Sequence, residues 1–230
     1  MIEYKCIYKK YIMAVFVMKF DNVYFINGTA YAGKSTMVKL LAQKYNGIAC
    51  EENYHDSRSA SLDKEKFPAL TYTRDLKDFR HFIRRTPQEY ENWIKEVNKE
   101  CSIIELEILE DLVRENKDKK IFVDTNISLS TLREISDNDH VLIMLADPSV
   151  SINRFFDRPD KEKQFLYKIM LEEENPKQAL ENFRKCLERV NNKDIYNEFL
   201  NFGFNVVLRD DNRSIEETLK IVEEKLKLKE

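Results

Sequence analysis

The sequence predicts an α/β fold in which helices cover both faces of a parallel β-sheet. Five short apolar segments, each ending in polar residues, have the pattern of buried parallel strands. Helix-like segments lie between them, and this alternation favours a parallel sheet over an antiparallel one. No repeat or Pro/Gly/Ser-rich linker divides the 230 residues. A chain of this length suits one domain with an inserted helical part.

The predicted strands cover residues 23–27, 47–50, 120–124, 140–145 and 204–208. The first is rich in β-branched and aromatic residues, which favour strands. The second is followed directly by Glu51, and the third ends on Asp124.

Helices are predicted after the first strand, over 37–45, and between the second and third strands. Residues 57–118 have an almost entirely helical pattern, and the longest piece, 88–116, carries apolar residues at spacings of three and four. At 1.5 Å per residue this helix would be about 40 Å long. Start signals are Asp147 before Pro148, a capping box at Ser214, and a weaker one at Thr131.

Residues 28–36 form a glycine loop that contains two of only four glycines in the chain. Its sequence, GTAYAGKST, matches the phosphate-binding pattern G-x-x-x-x-G-K-[ST], and it has the required strand before it and helix after it. In this pattern the lysine reaches the β- and γ-phosphates and the serine hydroxyl holds Mg²⁺. The predicted ATP-binding residues are therefore Gly28, Thr29, Ala30, Tyr31, Ala32, Gly33, Lys34, Ser35 and Thr36.

Asp124 occupies the place of a second Mg²⁺ ligand, because it ends a hydrophobic strand. Ser35 and Asp124 are thus the predicted metal ligands. Thr125 follows where motor and transport ATPases usually carry a water-activating glutamate, which disfavours a dedicated hydrolase. The D-x-x-G and N-K-x-D patterns of GTPases are also missing from the sequence.

These motifs resemble the small-molecule kinases of the P-loop class, which include nucleoside, nucleotide and shikimate kinases. The resemblance covers roughly residues 20–230, with only the glycine loop specific in sequence. It implies a three-layer P-loop NTPase fold with a five-stranded parallel sheet of order 2-3-1-4-5, flanked by helices and carrying helical acceptor and lid regions. The kinase domain would span 21–230, with an insertion at about 57–118 and a lid at about 149–175.

The resemblance also implies catalytic residues outside the glycine loop. Arg154 and Arg158 would lie on one helix face of the lid and bring positive charge to the transferred phosphoryl group. The alternative is a surface pair bound to Asp157 and Asp160. The predicted catalytic set is Lys34, Glu51, Asp124, Arg154 and Arg158.

The acceptor site is less defined. Glu51 is the first choice for the carboxylate that accepts the acceptor proton, with Glu52 and Asp56 as alternatives. His55 is interpreted as structural or exposed rather than as a substrate contact. Arg84 and Arg85 would bind an anionic acceptor or belong to a solvated helix face. Residues 209–212 follow the last strand, where related folds contact adenine.

Composition indicates which partners and which cellular compartment the protein is expected to have. A net charge of −3 and a pI of about 5.8 provide no basic field for nucleic acid. The four cysteines are scattered, which favours reduced thiols in a cytoplasmic protein. Residues 1–20 form an N-terminal extension whose apolar run, 11–18, is too short to cross a membrane. Either translation starts at Met13 or Met18, or the extension forms an accessory strand. A homodimer through the longest helix is compatible with the sequence.

The sequence therefore predicts an ATP-dependent phosphotransferase that acts on a small-molecule acceptor, with nucleosides and nucleotides among the acceptors considered. ATP and Mg²⁺ are the predicted cofactors. Two alternatives remain open: an ATP-binding regulatory or assembly module, and a simple ATPase without an acceptor.

Overall fold

A computed structural model describes residues 20–157 and 160–228. Its five strands form one parallel sheet of order β2-β3-β1-β4-β5, which confirms the α/β class and the predicted strand order. Their bounds are β1 (Val23–Gly28), β2 (Ile48–Cys50), β3 (Ile121–Asp124), β4 (Val141–Leu145) and β5 (Asn205–Leu208). Each lies within one residue of the predicted bounds. The predicted extension falls almost wholly outside the described residues.

Helices connect the strands and cover the sheet. They are α1 (Lys34–Lys44), a 3₁₀ helix (Tyr54–Ser61), α2 (Tyr72–Asp75), α3 (Arg80–Ile83), α4 (Pro87–Glu115), α5 (Leu129–Ile135), α6 (Pro148–Asn153), α7 (Lys161–Leu171), α8 (Pro176–Val190), α9 (Lys193–Asn201) and α10 (Ile215–Lys225). Among the described residues, no helix combines the length and the hydrophobicity needed to cross a membrane.

Two hydrophobic cores, one on each face of the sheet, make a three-layer arrangement. On one face, the second half of α4 and helix α5 bury side chains such as Leu109 and Leu132 against the strands. On the other face, α1 buries Val38 and Leu41, and α10 buries Val222. The helix predicted after the first strand, over 37–45, is therefore confirmed, with observed bounds Lys34–Lys44. These layers hold the carboxyl edge of the sheet rigidly, because both faces of β1, β3 and β4 are covered.

A third core lies away from the sheet and joins two regions that the sequence predicted separately. Phe82 of α3 and Tyr90 of α4 pack with Met170 of α7 and Phe183 of α8. We call α2, α3, the first half of α4 and α6–α8 the helical subdomain. The predicted insertion and the predicted lid are thus parts of one packed body, and a lid that closes independently of the insertion is not expected.

The local details of this body differ from the predictions. Residues 62–71 and 76–79 lie outside helices, so the insertion is less helical than its pattern indicates. The helix predicted to carry both lid arginines is wrong, because α6 ends at Asn153 and residues 154–157 form a turn. Arg154, the cap of α6, has a φ of −107° and a ψ of 13°, outside the helical range, so the helix ends there. Arg158 lies outside the described residues.

Of the three helix start signals predicted from the sequence, two are confirmed and one is wrong. Asp147 caps α6 with Pro148 in its first turn, and Ser214 forms the predicted capping box of α10. The predicted cap at Thr131 is wrong. Ser128 caps α5 instead, accepting a hydrogen bond from the backbone N–H of Thr131. Ser128 has no Glu or Gln three residues later, so it lacks the sequence signature of a capping box.

Candidate functional site

The glycine loop connects β1 to α1 at the carboxyl edge of the sheet, and its two glycines have different roles. Gly28 has a φ of 128°, and a Cβ placed there would lie 1.9 Å from the carbonyl oxygen of Met144 in β4. Gly33 has a φ of 93° and caps α1 without a steric conflict. Positive φ values at both positions turn the chain sharply, which only glycine does at low cost. The loop therefore approaches β4 closely before α1 begins.

Three predicted residues meet beside this loop. The Lys34 Nζ lies 3.6 Å from Oδ1 of Asp124 and donates to the carbonyl oxygen of Thr29 at 3.2 Å. The Ser35 hydroxyl donates to Oδ2 of Asp124 at 2.7 Å. The Asp124 side chain is only 5% exposed. Because Lys34 and Ser35 open α1 and Asp124 ends β3, the fold brings an ammonium, a hydroxyl and a carboxylate to one point.

The environment of Asp124 opposes its ionisation. Burial raises the pKa of Asp124 above its ordinary value, although the Lys34 charge and the Ser35 hydrogen bond act in the opposite direction. The charges of Glu52 and Glu105 raise this pKa further. Ionising a carboxylate that is buried and accepts few hydrogen bonds costs free energy, and a bound cation would offset that cost.

Replacing Asp124 with asparagine is expected to raise the free energy of unfolding at neutral pH in the absence of Mg²⁺. The pKa of Asp124 is higher in the folded protein than in the unfolded one. The free energy of unfolding of the wild type therefore falls as the pH rises from the unfolded-state pKa through the folded-state pKa, and it recovers on acidification. The difference between Asp124→Asn and wild type should therefore shrink towards acidic pH. Urea unfolding at several pH values measures it, and a difference independent of pH would contradict the expectation.

Side chains and backbone tie the glycine loop to the ends of β4 and β5. The Thr29 hydroxyl accepts from the Ala146 N–H at 2.7 Å. The Tyr31 hydroxyl donates to the carbonyl oxygen of Arg154 at 2.6 Å, and Arg209 Nη1 donates to the Tyr31 carbonyl oxygen at 2.5 Å. The loop is thus fixed from two sides.

A cleft of about 260 Å³ lies between the glycine loop and the segment from β5 to α10. Its lining includes Thr36 of the loop, Arg209 and Asp210 after β5, and two exposed apolar side chains, Leu208 and Ile215. These two are 48% and 55% exposed. Apolar side chains beside a polar loop offer a surface for a flat, partly apolar group. Of the segment 209–212, singled out by its position after the last strand, residues 209–211 line this cleft.

The predicted lid arginine lies on the same side of the loop as the cleft. The Arg154 carbonyl oxygen accepts a hydrogen bond from the Tyr31 hydroxyl. The charge of the exposed Arg154 side chain lowers the pKa of Asp211, after the larger effect of Arg209. The Arg154 backbone therefore lies near the glycine loop, and the role of its side chain stays a prediction. The position of its guanidinium is set by the turn after α6 rather than by a helix face.

The three candidate base carboxylates have different surroundings. Glu51 is about half exposed and forms an ion pair with Lys39 Nζ of α1 at 2.9 Å. Asp56 is exposed and lies 3.7 Å from His55 Nε2. Glu52 is the one of the three whose charge raises the pKa of Asp124.

A buried carboxylate that the sequence did not reveal supports the segment after Asp124. Glu105 of α4 is fully buried and accepts from the Thr125 hydroxyl at 2.6 Å and from the Asn126 N–H at 3.0 Å. His55 Nδ1 lies 3.3 Å from the same carboxylate. His55 is 6% exposed, which fits its interpretation as structural. A glutamate in a charged helix gives no sequence signal of burial.

The cysteines near this cluster are not activated. Burial raises the pKa of Cys50 to about 12, and it also raises the pKa of Cys101, whose Sγ lies 3.3 Å from His55 Nε2. A thiol becomes a nucleophile when its pKa is lowered, so these neutral thiols act as core side chains. The remaining described cysteine, Cys186, is buried in the helical subdomain.

The residues present fit a magnesium ion that is bound together with phosphates. Within the described ranges, no group of three or more His, Cys, Asp or Glu side chains could hold a metal alone. Mg²⁺ in nucleotide sites takes one or two protein oxygens and completes its shell with phosphates and water. Ser35 Oγ and Asp124 Oδ2, 2.7 Å apart, offer such a pair of hard oxygen donors.

Comparisons with known proteins give no independent assignment. No protein-family model matches the chain, and no curated protein matches it at a significant level. The case for a function therefore depends on the geometry of the residues described above.

Proposed function

We propose that the chain transfers the γ-phosphoryl group of ATP to a small-molecule acceptor. The observation that carries the proposal is the meeting of Lys34, Ser35 and the buried Asp124 beside the glycine loop. This is the set of groups that phosphoryl transfer needs: a cation for the phosphates and two oxygen ligands for magnesium. The all-parallel sheet supports it by placing these groups at its carboxyl edge, where ligands bind in such folds.

The nucleotide would lie across the loop with its base in the adjoining cleft. No side chain caps the first turn of α1, so its N–H groups face the loop as donors for phosphate oxygens. Lys34 Nζ, now between Thr29 and Asp124, would turn to the phosphates. Ser35 and Asp124 would hold Mg²⁺, which neutralises charge on the transferred group when bound. Leu208 and Ile215 would pack on the base.

The acceptor would enter between the sheet edge and the helical subdomain. We assign Glu52 as the carboxylate that accepts its hydroxyl proton, because Glu52 is the one of the three candidates whose charge acts on Asp124. Arg154, exposed beside the glycine loop, would supply positive charge to the transferred phosphoryl group. The chemistry is thus mainly positioning and charge neutralisation.

Glutamine variants at the two neighbouring positions distinguish these roles. Glu52→Gln is expected to lower kcat by about a hundredfold, the usual contribution of a positioned base. Glu51→Gln removes only a half-exposed ion pair and should change kcat by less than about threefold. Steady-state rates with the identified acceptor give the comparison. If Glu51→Gln causes the larger loss, the assignment of the base to Glu52 is wrong.

An ATP consumption assay with magnesium tests the proposal itself. Nucleosides, nucleoside monophosphates and small hydroxylated metabolites are supplied one at a time, and ADP and phosphorylated product are both measured. Product and ADP formed in equal amounts, only with one acceptor class and only with Lys34 intact, would establish a kinase. Phosphate release independent of acceptor would instead establish an ATPase. ATP binding without turnover on any acceptor would favour a regulatory module.

A further inference from the structure

The guanidinium of Arg85, in the helical subdomain, packs against aromatic rings, whereas the arginines beside it form ion pairs. Arg85 precedes the cap of α4, and its Cζ lies 4.1 Å from the ring centre of Tyr72, 5.0 Å from that of Trp93 and 5.1 Å from that of Phe82. Three aromatic rings thus form a box around one side of the guanidinium. Such contacts stabilise the cation but use none of its N–H groups as conventional hydrogen bonds.

Within the part of the chain that the structure describes, the Arg85 side chain makes no ion pair and no hydrogen bond, and its Nη1 is buried without a partner. The adjacent arginine is paired, since Arg84 Nε lies 2.9 Å from Glu173. Arg80 also faces Glu173, at 3.5 Å. A partly buried guanidinium without an acceptor is costly, because buried donors need partners.

This guanidinium borders an open cavity of about 580 Å³ lined by His81, Arg84, Arg85, Glu89 and Asn92. The acidic member is already engaged, as Glu89 Oε2 accepts from the Thr86 N–H and hydroxyl, both at 2.8 Å. Its carboxylate also faces the Arg85 charge, which contributes, after these hydrogen bonds, to lowering the pKa of Glu89. Glu89 is engaged by Thr86 and Arg84 is paired with Glu173, so within the described residues Arg85 is the charged member of this lining without an acceptor, which favours an anion here.

We propose that the cavity is an anion-binding site for a small molecule carrying a carboxylate or a phosphate group, with Arg85 as its principal donor. A planar guanidinium presents paired N–H groups that match two oxygens of either anion. The three aromatic rings hold the guanidinium in one orientation before an anion binds, which reduces the entropy lost on binding. Arg84, paired with Glu173, and His81 lie at the rim.

This site is separate from the glycine loop. Asn92 lines the cavity and Glu105 supports the residues after Asp124, and thirteen residues of one helix separate them, roughly 20 Å at the helical rise. The proposal therefore does not depend on phosphoryl transfer.

The single tryptophan of the chain, Trp93, provides a direct readout because its ring contacts Arg85. Tryptophan emission is titrated with sodium phosphate and, separately, with sodium succinate, with sodium chloride keeping the ionic strength constant. We expect a saturable change with at least one of the two anions. Arg85→Lys keeps a positive charge but loses the fork, and should weaken the apparent affinity by about tenfold or more. Arg85→Gln should abolish the response.

Two further variants test whether the change in tryptophan emission comes from this cavity. Arg184→Gln removes an exposed arginine of α8 paired with Glu188, outside the cavity, and should leave the titration unchanged. Lys34→Ala should also leave it unchanged. Far-ultraviolet circular dichroism shows whether each variant is folded, and Arg85→Lys remains informative if Arg85→Gln is not.

Three results would overturn the proposal. One is the lack of a saturable response in the wild-type protein with both anions. Another is equal affinity in wild type and Arg85→Lys. The third is loss of the response in Lys34→Ala, which would place the bound anion at the glycine loop. Failure of the ATP assay leaves these outcomes unaffected, so the two proposals fail independently.

Discussion

Lys34→Ala is expected to lower kcat for acceptor-dependent ADP formation by about a thousandfold, which corresponds to about 4 kcal/mol of transition-state stabilisation. The ammonium now lies 3.6 Å from Asp124 and would face the phosphates during transfer, where negative charge must be stabilised. Its removal also takes away the main charge that lowers the pKa of Asp124, so that pKa should rise further. Steady-state kinetics with the acceptor found in the ATP assay measure the loss.

Lys39→Ala is the matched control for this experiment. Lys39 lies on the same helix, is 57% exposed at its side chain and pairs with Glu51 rather than with Asp124. It should retain kcat within about threefold, as expected for a surface ion pair. Normal turnover in Lys34→Ala would contradict the proposed mechanism, provided that circular dichroism shows both variants folded.

The sheet and the glycine loop were predictable because their signals are local. A buried parallel strand must be apolar along its whole length, so each strand can be read from a few consecutive residues such as 141–145. Lys34 and Ser35 follow from spacing within one nonapeptide. Asp124 follows from ending an apolar strand. The strand order came from the resemblance to P-loop kinases, since periodicity alone does not order strands.

The parts that were missed depend on contacts between distant residues. Glu105 has the sequence pattern of a polar helix position, yet it is fully buried because Thr125 and Asn126 donate to it from another element. Glu100 is similarly buried, accepting from the N–H groups of Ala69 and Leu70. Hydrogen bonds of this kind offset the free-energy cost of burying a carboxylate, but no local sequence pattern predicts them.

The joining of insertion and lid has the same origin. Phe82 lies in the predicted insertion and Phe183 follows the predicted lid about a hundred residues later, so no local sequence pattern links them. Their packing links α3, α4, α7 and α8 into one core. Any movement that brings Arg154 over a nucleotide must therefore move the insertion as well or be confined to the turn after α6.

Gly28→Ala is expected to lower the free energy of unfolding by about 3 kcal/mol, through backbone strain and a steric collision. The φ of 128° is rarely adopted by residues with a side chain, and the added Cβ would lie 1.9 Å from the Met144 carbonyl oxygen. Gly28 pairs with Met144 in the parallel register of β1 and β4, and the same carbonyl accepts from the Thr29 N–H at 3.1 Å. Relief of the collision would require these central strands to separate.

Gly33→Ala separates the two contributions. Its φ of 93° is also unfavourable for alanine, but an added Cβ would meet only the Met144 Cε, at an ordinary 3.8 Å. The loss should therefore be about 1 kcal/mol, from backbone strain alone. Urea unfolding of both variants gives the comparison. Equal losses would mean that the close approach of the glycine loop to β4 does not limit stability, whereas a larger loss at Gly28 would show that the sheet itself fixes where the loop begins.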